Sequence, residues 1–335
     1  MSNSQRATIA KVAQEAGVST ATVSRVLNGS PSVSETTRQR VQDVVDDLRY
    51  RPSDLTRAVF AGRTNTIGVL FADMRSPYYV GLIEGISQVA NSQGSLAYLA
   101  AGNRDVDQER QILSLLDSHR VRGLITAAHD NDDVILRMAE SGTECVYITR
   151  VPSFDHPRVH SIRLDNAAAG ALAWSHLADT GRTRVLVVNQ APLRLTAKER
   201  TEGFREAMRR SGVTHREMET FQLQSLSEPS LKLSARILES YERGKINAIF
   251  ATTGVATFRA YEALARTGLR IPEDVAVLGV DDFQWAEHLS TPLSVITQPT
   301  FDMGMAAANL ILEEPGTSQN LLFPPALIPR RSTLG

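Results

Sequence analysis

From residue 65 onward the chain alternates short apolar runs with longer amphipathic stretches, and it does so twice. Apolar runs at 67–71, 96–101, 124–128 and 146–148 are separated by helical periodicity near 78–92, 106–119 and 132–141. A second set follows, with runs at 185–188, 221–223, 249–251 and 275–280 and helical stretches near 166–180, 198–211, 228–243 and 255–268. Runs that are apolar throughout, rather than at every second residue, suit strands buried on both faces. Strand–helix alternation therefore predicts doubly wound parallel sheets, and two sets predict two α/β lobes. Ligands of such sheets sit beyond the carboxyl ends of the strands, so the expected site is the cleft between the lobes.

The first 50 residues follow a different rule. Ile9, Val12, Ala13 and Ala16 recur at helical spacing, Gly17 interrupts them, and Ser19 is placed to cap a second helix with Val23, Val26 and Leu27 on one stripe. Ser34 is placed to cap a third helix carrying Val41, Val44, Val45 and Leu48. Within residues 51–64, RPSDLTRAVFAGRT, Pro52 and Gly62 bracket a stretch too short for a helix stable on its own. The segment reads as a linker that becomes helical only with a partner.

Ala13, Gly17 and Val23 have helix-turn-helix spacing for steric reasons. Alanine lets two helices approach, glycine takes the positive φ of the tight turn, and valine fills the angle between them. In that geometry Thr20 and Ala21 open the second helix toward a DNA major groove, and Arg25 stands one turn on, long enough to reach a guanine edge. Ser19 and the first free amides would hold backbone phosphate. Read from spacing alone, an ordinary helical hairpin remains the competing interpretation. Charge leans the same way as the motif. Residues 1–63 carry nine Lys or Arg against six Asp or Glu, a surplus of three, whereas the remainder carries 27 against 31.

Composition removes several classes. A chain of 335 residues, 42% hydrophobic and 22% charged, is long enough for two or three domains and too apolar to be disordered. A single cysteine, Cys145, excludes an intrachain disulfide framework and suits a reducing cytoplasm. The polar start MSNSQRAT gives no expectation of a signal peptide, and no apolar run approaches a membrane span. No phosphate loop, nucleophile elbow or H-E-x-x-H motif is present, and Pro157 between His156 and His160 spoils a helical metal pair. No enzyme activity, cofactor or metal is expected.

Taken together, the segment VSTATVSRVLNG, the hinge RPSDLTRAVFAGRT, and TIGVLFADMRSPYY, GLIEGI, RVRGLI, RTEGFREAM, IPEDVAVLGVDD and VITQP resemble, in order and spacing, the lactose-repressor (LacI/GalR) family of bacterial transcription regulators. The resemblance covers essentially the whole chain. It implies an all-α helix-turn-helix headpiece (1–50) and a hinge (51–64). It implies a first periplasmic-binding-protein-like lobe from 65–163 and 295–322, and a second from 164–294 and 323–335. It implies a cytoplasmic homodimer, sometimes a tetramer, that binds a palindromic double-stranded operator under control of a small effector.

By position, Thr20, Ala21 and Arg25 match the family's base readers, with Ser19, Thr22 and Asn28 beside them. Leu55 and Val59 match the pair that wedges into the central minor groove, with Arg57 between them. Val59 stands where leucine is usual, which shortens the wedge. Effector positions carried over are Tyr78, Tyr79, Arg194, Thr196, Arg200, Phe250, Asp281 and Gln298. A sugar is the family default. The chain reads Phe250-Ala251-Thr252-Thr253-Gly254 where Asn-Asp is common, so a nucleobase, nucleoside or other anionic metabolite stays open. Two other classes also stay open at this point: a solute-binding module without DNA function, and a doubly wound enzyme on sugars or nucleotides.

Overall fold

A computed structural model describes residues 8–27, 30–50, 63–72, 77–103, 105–127, 130–191, 194–213, 218–224 and 230–334. Asn28 and the hinge positions Leu55, Arg57 and Val59 lie outside the described residues. Contacts divide the chain into one unit of residues 1–65 with 118–122 and a second of 66–117 with 123–335.

The first unit holds three helices, α1 (Ile9–Glu15), α2 (Thr20–Leu27) and α3 (Glu35–Asp47). Each starts at a hydroxyl that accepts from an otherwise unpaired first-turn amide. Lys11 N donates to Thr8 Oγ1 at 3.3 Å, Thr22 N to Ser19 Oγ at 3.1 Å, and Thr37 N to Ser34 Oγ at 3.4 Å. Gly17 has φ +64°, and nothing lies within 4 Å of where its Cβ would be. Backbone conformation, not crowding, is therefore what selects glycine there. Val12, Ala13, Ala16, Val23, Val26, Val41, Val45 and Tyr50 form the small core.

The second unit contains two six-stranded sheets. The first takes β1 (Thr66–Phe71), β2 (Leu96–Ala101), β3 (Gly123–Thr126), β4 (Glu144–Ile148), β5 (Val159–Leu164) and β11 (Asn320–Phe323). Its order is β11-β5-β4-β3-β1-β2, all parallel. Helices α4 (Pro77–Ser92), α5 (Val106–Ser118) and α6 (Asp132–Glu140) connect its strands. The second sheet takes β6 (Val185–Gln190), β7 (Met218–Leu223), β8 (Ala248–Ala251), β9 (Ala276–Val280), β10 (Ser294–Thr297) and β12 (Ala326–Ile328). Its order is β12-β10-β9-β8-β6-β7, parallel except for the β12 edge. Helices α7 (Asn166–Asp179), α8 (Leu195–Arg210), α9 (Leu231–Glu242) and α10 (Gly254–Ala265) belong with it, while α11 (Thr300–Glu313) packs on α4, β3, β4 and β5.

The central strands are buried on both faces, as in β4 and β6, where every residue is covered. Apolar runs therefore mark them in the sequence. Between the sheets the chain passes three times, and two passages are stitched where Asp165 N donates to Phe323 O at 2.8 Å. Helices α7 and α8 lie in near backbone contact: a Cβ on Gly170 would stand 2.0 Å from the Arg200 carbonyl oxygen. Only glycine lets α8 sit that close, and its placement sets where Arg200 can reach.

Candidate functional site

Two regions gather the residues singled out by sequence. In the three-helix unit, Ser19, Thr20, Ala21 and Arg25 are exposed and Thr22 is half-buried, while Val23, Ser24 and Val26 face the core. The α2 stripe that packs and the stripe that could touch a partner are thus separated around one helix. Ser19 Oγ lies 3.0 Å from Thr22 Oγ1 and accepts the Thr22 amide, which fixes the first turn. By helix geometry the Thr20 and Ala21 amides have no acceptor within α2, and they point out of its exposed end. This is an end suited to phosphate, with a long cation one turn away.

In the second unit Arg200, Asp281, Gln298 and Tyr78 converge. Arg200 is 4% exposed. Its Nε donates to Asn166 Oδ1 at 2.9 Å and its Nη1 to the Thr252 carbonyl at 2.8 Å. Asn166 is held in turn by donating to Glu199 Oε2 at 2.9 Å, and Thr252 Oγ1 donates to Asn189 Oδ1 at 2.6 Å. Burial pulls the Arg200 pKa down, opposed by Asp281, Tyr78 and Glu199. Arginine stays charged under such shifts.

Asp281 follows β9 in a left-handed conformation, φ +69°. Its Oδ1 accepts from Gln298 Nε2 at 2.6 Å, and its backbone N–H donates to Ile296 O at 3.0 Å. A Cβ on Gly254 would meet Asp281 Oδ2 at 2.8 Å, so glycine at the start of α10 admits the carboxylate. Burial pushes the Asp281 carboxyl up, against the pull of Arg200, Gln298 and the Gly254 amide. Tyr78, from the other lobe, senses both charges. Burial, then Tyr79 and Asp281, raise its phenol while Arg200 lowers it. Its hydroxyl is buried with no hydrogen-bond partner among the described residues. Native interiors rarely leave such a group unpaired without a bound molecule or water to answer it.

Other expected positions fall less centrally. Tyr79 is half-buried and stacks on Phe71 with centroids 4.4 Å apart, which occupies one of its faces. Arg194 is the residue before α8 and Thr196 lies in its first turn, both half-buried. Phe250, matched by resemblance to an aromatic or apolar wall, offers no exposed face. It is fully buried and stacked on Phe204 at 5.2 Å, because alternate residues of β8 face opposite sides and this one faces α7 and α8. Asp282, next to Asp281, points away and pairs with Arg330. The sequence reading missed Asn166, Glu199 and Thr252. The one available signal was Asp165-Asn166 before an alanine-rich stretch, a helix-start pattern that Asp165 fulfils by accepting from Ala168 N at 2.8 Å.

Family models match nearly the whole chain. Residues 8–53 match bacterial regulatory proteins of the lacI family, and residues 64–329 match the periplasmic binding proteins and sugar binding domain of the LacI family. The chain belongs to the LacI family. The HTH-type transcriptional repressor PurR of Aliivibrio salmonicida is 30% identical over 307 residues, covering 92% of each chain. The HTH-type transcriptional regulator CelR of Thermobifida fusca is 29% identical, covering 93% of each. A solved CelR–cellobiose complex superposes with a TM-score of 0.69 at 27% identity, over 98% of this chain and 100% of that one. A lac repressor dimer bound to operator and an anti-inducer shares the fold, with a TM-score of 0.77 at 21% identity over 99% of this chain and 100% of that one. The LacI-family chain is thus a DNA-binding transcription regulator with an effector-binding domain, and its relatives are regulators rather than enzymes. Among the described residues no helix is long and apolar enough to cross a membrane.

Proposed function

We propose that the chain is a cytoplasmic, dimeric repressor whose hold on a palindromic operator is set by an uncharged sugar between the lobes. Its lobes would be 65–163 with 295–322, and 164–294 with 323–335. The observation that carries the ligand reading is the buried Tyr78 hydroxyl, without a partner among the described residues, beside Arg200 and Asp281. A ligand that both accepts and donates would satisfy all three groups at once. A sugar hydroxyl does both.

Charge supports a neutral ligand over an anion. The Arg200 cation is answered by Asp281, and a phosphate placed there would meet the Asp281 carboxylate. Ring stacking is less well provided for, because Phe250 is sealed in the core and Phe71 covers one face of Tyr79. CelR, whose solved complex holds cellobiose, is a regulator of similar architecture.

On the DNA side, Thr20, Ala21 and Arg25 would read base edges, while Ser19 and the first amides of α2 would set position on the backbone. Asn28 would stand beside them, and Leu55 and Val59 would wedge into the minor groove, with Arg57 between them. The edge strand β2 exposes Leu96, Tyr98 and Leu99, and a second copy covering it would explain so apolar an edge. A ligand that prefers one lobe angle would then change headpiece spacing, a coupling of about 1–3 kcal/mol in typical cases.

A thermal-shift panel tests the ligand. Cellobiose and D-ribose, their phosphates, and purine nucleosides would be added to the full chain. A neutral sugar at a hundred times its Kd adds about 2.7 kcal/mol of stability. At roughly 2–4 °C per kcal/mol for a chain of this size, melting rises by about 5–10 °C. A shift produced by the phosphates or nucleosides, with none from the sugars, refutes an uncharged sugar as the ligand.

A further inference from the structure

We propose that Arg330, in the C-terminal segment, is a positioning residue for the effector cluster: through Asp282 it holds the backbone turn that presents Asp281. The inference rests on reading Arg200, Asp281, Gln298 and Tyr78 as the effector site.

The Arg330 guanidinium grips Asp282 with both arms, Nη1 to Oδ1 at 2.7 Å and Nη2 to Oδ2 at 2.8 Å. The two side chains are 15% and 28% exposed. Nη1 also donates to the Leu293 carbonyl at 2.9 Å. A planar fork with a third acceptor leaves the Asp282 carboxylate a single orientation. Arg330 is itself fixed at the backbone, where its N–H donates to Ser294 Oγ and its carbonyl accepts from the same hydroxyl, each at 2.8 Å.

The residues that follow clamp the segment further. Ser332 Oγ donates to Val277 O at 2.6 Å and accepts from Ser294 N at 2.8 Å. Thr333 Oγ1 lies 2.7 Å from both Ser294 Oγ and His176 Nε2. Val277 belongs to β9 and Ser294 to β10, the strands that lead to Asp281 and to Gln298. The end of the chain therefore ties together the two strands that deliver both halves of the Gln298–Asp281 hydrogen bond.

The turn needs such a hold. Asp281 has φ +69°, a conformation that costs a non-glycine residue and relaxes unless its surroundings over-determine it. With Asp281 bonded on one side of the backbone and Asp282 gripped on the other, neither residue can rotate without breaking a charged hydrogen bond. Removing the grip on Asp282 frees the turn to swing the Asp281 carboxylate away from Gln298 and Gly254, toward water.

The test uses the full chain with Arg330→Gln and, as a milder change at the other end of the pair, Asp282→Asn. The Asp281 carboxyl carbon is followed by 13C NMR, assigned with Asp281→Asn, and titrated without ligand. Arg200 and Tyr78, which face Asp281 from α8 and α4, are unchanged in both variants. In the parent, burial holds this carboxyl above its ordinary range; in either variant it falls toward that range. The double variant goes no further than the single ones, and Arg330→Lys restores part of the shift. A fold-stabilising role alone would lower melting while leaving the Asp281 titration of the folded protein at the parent value, and that result overturns the proposal.

Cellobiose and D-ribose binding separates the two readings. If the titration moves but neither sugar binds even the parent, the linkage stands and the neutral-sugar reading fails. If a sugar binds the parent, Arg330→Gln weakens it by roughly tenfold, the worth of one misplaced charged hydrogen bond. Equal binding by parent and variant overturns the linkage and leaves the ligand reading intact.

Discussion

Replacing Arg200 with methionine is the most informative single change, because the guanidinium is both buried and multiply bonded. Methionine matches much of its length and none of its donors. The Asn166 Oδ1 and Thr252 carbonyl acceptors, bonded at 2.9 and 2.8 Å, lose their partner. Each buried orphan costs about 1–3 kcal/mol. Asp281 also loses the cation that offsets its burial. Against this, a buried charge no longer has to be desolvated, which returns part of the loss. The net is about 3–5 kcal/mol, the range found when one partner of a buried pair is removed. At roughly 2–4 °C per kcal/mol, melting falls by about 6–20 °C. Differential scanning calorimetry on the full chain measures it, with duplex DNA binding recorded well below the transition. The three-helix unit has its own core, so DNA binding at low temperature survives while any response to the sugar disappears. A variant that melts within about 1 kcal/mol of the parent would refute the reasoning, since the hydrogen bonds to Asn166 and Thr252 could not then be energetically significant.

Two further changes probe separate parts of the molecule. Asp132 accepts from Tyr147 Oη at 2.8 Å, from Ser153 N at 3.0 Å and from Arg150. Burial pushes its carboxyl up, but hydrogen bonds from Arg150, Ser153 and Tyr147 outweigh that and hold it well below the ordinary range. A depressed carboxylate stabilises the fold above its unfolded pKa of about 3.9 and loses that contribution as pH falls through the native value. Asp132→Asn therefore costs about 2 kcal/mol at pH 7, the worth of charged hydrogen bonds, and progressively less below about pH 4. Urea unfolding across pH checks the sign, and a cost that grows in acid contradicts it. Arg25→Ala is expected to leave melting within about 0.5 kcal/mol, because the side chain is exposed. On duplexes selected from a random pool it loses about 1–3 kcal/mol per half-site, and an equal loss on every sequence would reassign Arg25 from bases to phosphates.

The headpiece was legible because its determinants are local. Gly17 needs a positive φ, Ser19 and Ser34 need only the amides three residues on, and the apolar stripe follows helical period. The inner strands were legible because burial on both faces makes them continuous apolar runs. Strand β5, VHSIRL, escaped that test because it buries His160 and Ser161. Burial is possible there because His160 Nε2 meets Glu144 Oε2 at 3.0 Å and its Nδ1 accepts from Gln319 N at 3.1 Å, partners far off in sequence. Strands β11 and β12 are short, partly exposed edge strands outside the strand–helix alternation that marks the inner ones. The same distance in sequence explains the site. Arg200 could be singled out by resemblance, but Asn166 and Thr252, 34 and 52 positions away, could not. Phe250 shows the converse: the resemblance matches it to a ligand wall, while in the structure its ring is fully buried against Phe204.

Fluorescence anisotropy of a labelled duplex, titrated with the full chain across a salt series with and without the sugar from the thermal-shift panel, bears most directly on regulated DNA binding. A protein making 6–10 phosphate contacts loses on the order of 10³–10⁵ in affinity between 50 and 200 mM salt. The prediction is a steep slope of that kind, with the sugar displacing the binding curve by about 5–150-fold at fixed salt. A flat salt dependence and identical curves with and without sugar would leave only a two-lobed solute binder and contradict the regulator.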